Sequence, residues 1–423
     1  MRRLIFFLPF LVACANASTQ IAEQPHTELP PPRVVQLSST PRPTHTPTLT
    51  STFTPFPLPS DTASPTITLT QTTAPSSTAS ATLAPKPSSS SIANTQPSNT
   101  QTTQLPNNPT PSPVPVAHPY SRPIIVANYL AWYDPTSWST GCTSDSPAAG
   151  AYTSSDSATI SRHISQAQQA GLDGFTVHWG GPGDVTDGVL AQILNQGFGA
   201  TATFLNHFFY GLQARATVAA NLSGLMSKAN AYGNWIRYAG KPVIFFADMQ
   251  RVDTSGGLTP QQAWEQIRAA TDPAHTTIWI AEGLDPSYLA TFDGLYVYKI
   301  DHNCCPGAYA SAGKWAGWVR EAERLYGPRF WVATIQPGWD DSLTINETCN
   351  GVRVSSEPFA RDREGGAYYQ RTAGAALGTS PDMIVLNSFN EWVEGSFIEP
   401  SVGLGDLYLT LTAQYAAQFH GSR

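Results

Sequence analysis

The sequence predicts a (β/α)8 barrel, an α/β fold of the TIM-barrel type, preceded by a disordered Ser/Thr/Pro-rich stalk. Three observations predict it. Over residues 119–423, short β-rich apolar runs alternate eight times with amphipathic or Ala-rich stretches. The runs are almost continuously hydrophobic, as strands of a parallel sheet are when both faces are buried. Polar and aromatic residues gather just after the runs, at the end where a barrel carries its chemistry. An open doubly wound sheet is the rival architecture, and no Gly-rich phosphate loop follows the first run to support it.

The strands are expected at 124–132, 174–179, 201–206, 242–247, 277–281, 294–300, 330–335 and 383–388. Helices are expected between and after them, at 157–170, 185–195, 212–231, 260–270, 286–291, 310–326, 367–377 and 407–419. Such alternation in one domain closes more naturally into a barrel than into an open sheet.

The segments before the barrel differ in kind. Residues 1–14 read as a lipoprotein signal peptide. Arg2 and Arg3 precede an apolar run at 4–12, which is too short to span a bilayer, and the run ends in Leu11-Val12-Ala13-Cys14. Ala13 suits a peptidase pocket and Cys14 is the expected lipidation site. Multiple acyl chains there would anchor the protein stably to a bacterial membrane, with the catalytic domain extracellular or periplasmic. Residues 15–118 are dominated by Thr, Ser and Pro and have few aromatic or charged residues. Such a segment buries too little apolar surface to offset its ordering entropy. An extended, partly polyproline linker is expected, holding the domain off the membrane.

Lys and Arg number 23 against 30 Asp and Glu, for a formal net charge of −7. No basic stripe is present, which argues against nucleic acid as a partner. A monomer is expected. With Cys14 assigned to lipid, Cys142, Cys304, Cys305 and Cys349 remain as disulfide candidates for an exported domain. A bridge between adjacent Cys304 and Cys305 would be strained, so each is expected to pair elsewhere. Neither the cysteines nor His178, His207 and His302 show metal-ligand spacing, and no metal or other cofactor is expected.

The most informative segment is Asn387-Ser388-Phe389-Asn390-Glu391-Trp392-Val393-Glu394-Gly395. It places two carboxylates three residues apart just past the last strand. Such a pair divides acid and base work when the surroundings separate their pKa values. Glu391 and Glu394 are therefore the expected catalytic residues. Gly395 allows a sharp turn. Trp392 offers a stacking face and Asn390 a hydrogen-bonding amide. Trp132, Tyr133, Trp179, Tyr298 and Trp339 are further candidates for contact with a bound molecule through their aromatic faces. His178, Asn206, His207, Asp248 and Asp301 are candidates for binding hydroxyls.

The segment resembles the signature of glycoside hydrolase family 99, the endo-α-mannosidases and endo-α-mannanases. Weaker matches follow in order: Asn128 to Tyr133, Tyr152 to Asp156, His163 with Ala170 to Phe175, Phe292 to Tyr296, Gln336 to Asp341, Tyr368-Tyr369, and Glu399-Pro400. The resemblance implies that Glu391 takes the proton from the substrate's 2-hydroxyl. That oxygen then displaces the leaving group from behind and forms a 1,2-anhydro sugar. Glu394 protonates the leaving oxygen and afterwards activates water, with net retention. Back-side attack needs the 2-hydroxyl trans to the leaving group, as in an α-mannoside and not in an α-glucoside. The expected partner is thus an α-mannosidic polysaccharide or glycan. Two departures stand out: Val393 where the family has His, and the unfamiliar third-strand wording Phe204-Leu205-Asn206-His207. They leave open a family 71-like α-glucanase. A non-catalytic glycan-binding surface lipoprotein is the alternative from another class.

Overall fold

A computed structural model describes residues 123–345 and 358–421. The expected signal peptide and stalk, with Cys14, lie outside the described residues, as does Cys349. The barrel strands are β1 (Ile124–Tyr129), β2 (Gly174–Trp179), β3 (Gly199–Phe204), β4 (Lys241–Phe246), β5 (Ile278–Glu282), β6 (Gly294–Tyr296), β7 (Phe330–Ile335) and β8 (Met383–Leu386). Neighbours pair in parallel around the ring, and β8 pairs with β1. Thr203 and Phe204 of β3 pair with Phe245 and Phe246 of β4, which closes the barrel. The helices are α1 (Ser157–Gln169), α2 (Val185–Asn195), the short α3 (Asn206–Tyr210), α4 (Arg215–Ala231), α5 (Pro260–Thr271), α6 (Ala312–Tyr326), α7 (Ala367–Leu377) and α8 (Leu407–Gly421).

Local chemistry explains the helix starts. Asp156 caps α1 by accepting from the Thr159 N–H, and Asp184 caps α2 through Thr186. Before α5, Thr259 and Gln262 cap each other reciprocally and Pro260 occupies the first turn. Side chains along each strand alternate between two cores. Ile125, Ala127, Phe175, Val177 and Trp179 join the layer shared with the helices. Val126, Phe245, Ile280, Tyr296, Val332 and Val385 belong to a second cluster, which fills the ring itself. Gly174 lies opposite Gly199 because the backbones approach too closely for a side chain. A Cβ on Gly174 would stand 2.5 Å from the Gly199 carbonyl oxygen.

Several expected strands end early; β3, for example, stops at Phe204 rather than at 206. Strand β1 stops at Tyr129 because the Leu130 N–H goes to the Asn390 side chain rather than to a neighbouring strand. Strand β8 stops at Leu386, where the Ser388 N–H turns to the Ser396 carbonyl. Strand β6 covers only Gly294–Tyr296 of the expected 294–300. The stretch after β5 forms a one-turn 3-10 helix, Pro286–Ala290, too short for an α-helix. Among the described residues no helix is long and apolar enough to cross a membrane.

Candidate active site

The chain leaving β8 folds back on itself and raises two acids at the C-terminal end of the barrel. Ser388 donates its N–H to the Ser396 carbonyl, and Ile398 returns an N–H to the Ser388 carbonyl. Glu391 and Glu394 occupy the loop between these clasps. Gly395 adopts φ +60, and an added Cβ would stand 2.9 Å from the Asp340 backbone nitrogen, so glycine is required at the turn. The Asp340 N–H in turn donates to the Glu394 carbonyl at 2.7 Å.

Both acids are largely buried, Glu391 7 % and Glu394 5 % exposed, so neither is turned outward. Oε1 of Glu391 accepts from the N–H groups of Val393 (3.1 Å) and Glu394 (3.4 Å) and from the Tyr133 hydroxyl (3.5 Å). Oε2 of Glu394 accepts from the Tyr298 hydroxyl at 2.9 Å. Burial pushes Glu391 well above the usual carboxylate range, and the Glu394 charge adds to it. Burial likewise raises Glu394, against the pull of the Lys299 ammonium and the Tyr298 hydrogen bond. Two buried carboxylates this close titrate as a pair, holding a proton at pH values where an exposed acid has lost it.

Lys299 and Glu282 belong to the site although the sequence alone assigns neither of them a role in it. The Lys299 ammonium sits over the Trp339 ring at 4.3 Å and the Phe359 ring at 4.6 Å, and 3.6 Å from the Asp341 carboxylate. Its position one residue after Tyr298 was the available clue. Glu282, at the end of β5, accepts the Tyr298 N–H at 3.3 Å. Burial, with the Asp248 charge, raises it to about 7.

A line of rings leads away from the acids. Tyr298 stands 5.9 Å from His178, and His178 5.8 Å from Trp132. Trp132 then meets Phe209 at 5.5 Å and Phe208 at 6.1 Å, both from α3. Burial pushes His178 down to about 4, so it is neutral near pH 7. His207 pairs with Asp248 at 3.0 Å, and Arg251 reaches the same carboxylate at 2.9 Å.

Several expected contact residues are placed elsewhere. Trp179 points outward, donates its indole N–H to Asp187 of α2 and lies 1 % exposed. Asn206 is buried, with its amide donating to the Gly180 carbonyl. Asp301 is buried and already accepts from the His302 and Gly307 N–H groups, Arg361 and Tyr368. Asn390 ties both polar groups of Leu130 to the loop, at 2.8 and 2.9 Å. Trp392 is buried against Phe397 with ring centroids 3.9 Å apart, and Trp339 is buried beside Phe359. These six serve packing and loop structure and present no open face to a sugar.

Among the described residues no group of three or more His, Cys, Asp or Glu is placed to hold a metal ion. A separate cleft of about 390 Å³ runs along α5, from Gln261 past Arg268 to His275.

Comparison with known proteins bears on this geometry. The chain is 24 % identical over 310 residues to a human protein described as glycoprotein endo-alpha-1,2-mannosidase-like protein, a match covering 64 % of each chain. It is 23 % identical over 307 residues to the Mus musculus glycoprotein endo-alpha-1,2-mannosidase, covering 66 % of this chain and 64 % of that one. The match thus spans just under two thirds of these relatives' length. The fold is that of the GH99 endo-alpha-mannosidase from Bacteroides thetaiotaomicron. Its structure superposes with TM-score 0.55 at 21 % identity and covers 71 % of this chain and 98 % of that one. The family model described as glycosyl hydrolase family 99 matches residues 119–411, which take in all eight barrel strands and the start of α8, and the chain belongs to that family.

Proposed function

We propose that the protein hydrolyses α-mannosidic linkages in a polysaccharide or glycan, with retention, through participation of the substrate's own 2-hydroxyl. The observation that carries the reading is the pair Glu391 and Glu394 on one short loop, buried at the mouth of a family 99 barrel and each held by a tyrosine hydroxyl. Both acids approach from the same loop. A route in which the sugar's own oxygen attacks suits them better than direct attack by one carboxylate across the ring, which needs opposed groups about 5 Å apart.

Glu391 is the base toward the 2-hydroxyl. The donors converging on its Oε1 are those that support a carboxylate. Glu394 is the acid that protonates the leaving oxygen and the base that later activates water, since burial keeps a proton available there near neutral pH. In the sugar-free pocket burial pushes Glu391 upward as well. The bound 2-hydroxyl, donating to Glu391, is what makes the ionised form the favoured one. Trp132, His178 and Tyr298 form the wall along which neighbouring sugars lie.

The purified protein, incubated with a panel of α-mannans and α-glucans, should release product from the mannans with the anomeric configuration retained, followed by NMR. Glu391→Gln and Glu394→Gln should each abolish turnover and keep binding. Activity retained in both variants removes the mechanism. Turnover of glucans alone transfers the protein to an α-glucanase reading, and binding without turnover of any glycan to a glycan-binding one.

Export and a lipid anchor on Cys14 are part of the same proposal, supported by Arg2, Arg3 and the apolar run that ends in Ala13-Cys14. Metabolic labelling with an alkyne fatty acid should mark the wild type and not Cys14→Ser. Disulfides in the domain are proposed on the even number of cysteines that remain beside Cys14, namely Cys142, Cys304, Cys305 and Cys349. Thiol counting on the denatured protein, before and after reduction, tests them.

A further inference from the structure

Three residues within the family resemblance, Tyr152, His163 and Glu399, take no part in the chemistry above, yet they meet in one buried network behind the acid loop. Oε2 of Glu399 accepts from the Tyr152 hydroxyl at 2.9 Å and from the Trp392 indole N–H at 3.0 Å. Its Oε1 faces Nε2 of His163 at 2.9 Å, and Nδ1 of that ring meets the Tyr129 hydroxyl at 2.9 Å. Asn390 donates to the Tyr152 oxygen at 3.3 Å. All these side chains are buried, Glu399 to 2 % exposure.

The directions of these bonds follow from donor counting. An indole N–H can only donate, so Oε2 accepts it. Tyr152 receives the Asn390 amide on its oxygen, so its single proton goes to Oε2 as well. Nε2 of His163 then carries the hydrogen toward Oε1, and Tyr129 donates to Nδ1. Glu399 thus acts as the acceptor on which a tyrosine, a tryptophan and a histidine converge.

Trp392 stands between the two working acids in the chain. Its backbone N–H donates to the Tyr133 hydroxyl at 3.1 Å, and that hydroxyl in turn faces Glu391. We propose that Glu399, supported by His163 and Tyr152, is the positioning residue of the acid pair: it anchors the Trp392 indole and thereby sets the loop tip that carries Glu391 and Glu394. Glu399 touches no substrate and acts through Trp392. The inference rests on the proposed glycosidase reading for its kinetic consequence and on the hydrogen bonds alone for its structural one.

Glu399→Leu removes the acceptor while keeping bulk. It should lower kcat roughly 100-fold with KM within about threefold, the scale set by small misplacement of catalytic groups. Glu399→Gln should restore most of the lost rate. Its amide oxygen can take both Tyr152 and Trp392 while its NH2 donates to the other His163 tautomer. That rescue separates anchoring from a generic packing role. Should Glu399→Leu fail to fold, Tyr152→Phe removes one donor only and should lower kcat roughly tenfold at unchanged KM. A wild-type kcat in a folded Glu399→Leu, or in Tyr152→Phe where the former does not fold, overturns the inference. If the wild type turns over no glycan, the glycosidase reading fails on its own. Crystal structures of the same variants then decide: an indole displaced from its stack on Phe397 supports the anchoring role, and an unmoved indole overturns it.

Discussion

The Tyr298 hydroxyl donates to Oε2 of Glu394 at 2.9 Å, while the backbone N–H of the same tyrosine is held by Glu282 at 3.3 Å. One residue therefore links the end of β5 to the acid proposed to handle the leaving group. The bond favours the charged form of Glu394 and offsets part of its burial. Tyr298→Phe removes it, so the Glu394 pKa rises and the protonated acid survives to higher pH. The alkaline limb of the pH–rate profile should move up, and kcat at neutral pH should fall roughly tenfold. An alkaline limb that stays in place would show that the phenol does not tune Glu394.

Lys299 acts on the same acid in the same direction, through charge. Lys299→Met removes a cation that lowers the Glu394 pKa, so the alkaline limb should again shift upward. The substitution also leaves the buried Asp341 without its cation, a loss of about 3 kcal/mol for a buried pair broken on one side. Thermal unfolding should therefore fall together with the shift in profile. A profile that shifts without loss of stability would mean that Asp341 finds another partner.

The acidic limb should differ between kcat/KM and kcat. The first reports the free enzyme, in which burial and the neighbouring acid push Glu391 upward; the second reports the complex. A 2-hydroxyl donating to Glu391 favours ionisation, so the limb should fall at lower pH in kcat than in kcat/KM. Coincident limbs would argue against Glu391 as the group facing that hydroxyl.

At the opposite end of the barrel, Arg268 reaches Asp293 at 2.9 Å and Asp272 at 3.4 Å, all three buried, and lies over the Trp279 ring. Conservation of structure rather than chemistry is the expected role of that face. Arg268→Met should cost about 3–5 kcal/mol and lower the unfolding temperature by roughly 10 °C. Turnover measured well below that temperature should be unchanged. A loss of kcat in folded protein would show coupling from the base of the barrel to its mouth.

The barrel was legible because its strands are buried on both faces, so the apolar runs stand out from the helices. The same property hid which way individual side chains point. Trp179 ends a strand, as a sugar-stacking residue would, yet it shares the parity of Phe175 and Val177 and faces α2; His178, one residue earlier, faces the mouth. Asp301 has the composition of a hydroxyl ligand, but two N–H groups of its own loop and two distant side chains, Arg361 and Tyr368, already occupy it. Strand ends were overextended where a side chain, Asn390, replaces a neighbouring strand as hydrogen-bond partner. Such long-range substitutions leave no local pattern. Glu391 and Glu394 were legible because their chemistry is carried within one short segment.

Asn390 grips the backbone of Leu130 across 260 positions of the chain. The hinge of the reaction centre is thus made from the first and the last strands. A ribosome that has delivered seven of the eight strands has delivered no proton-transfer pair, and the opening strand still waits for its clasp. Activity then arises in a single late event, when the tail of the polypeptide finds its head. Stalled or truncated chains should be inert however much of the cylinder they have wound.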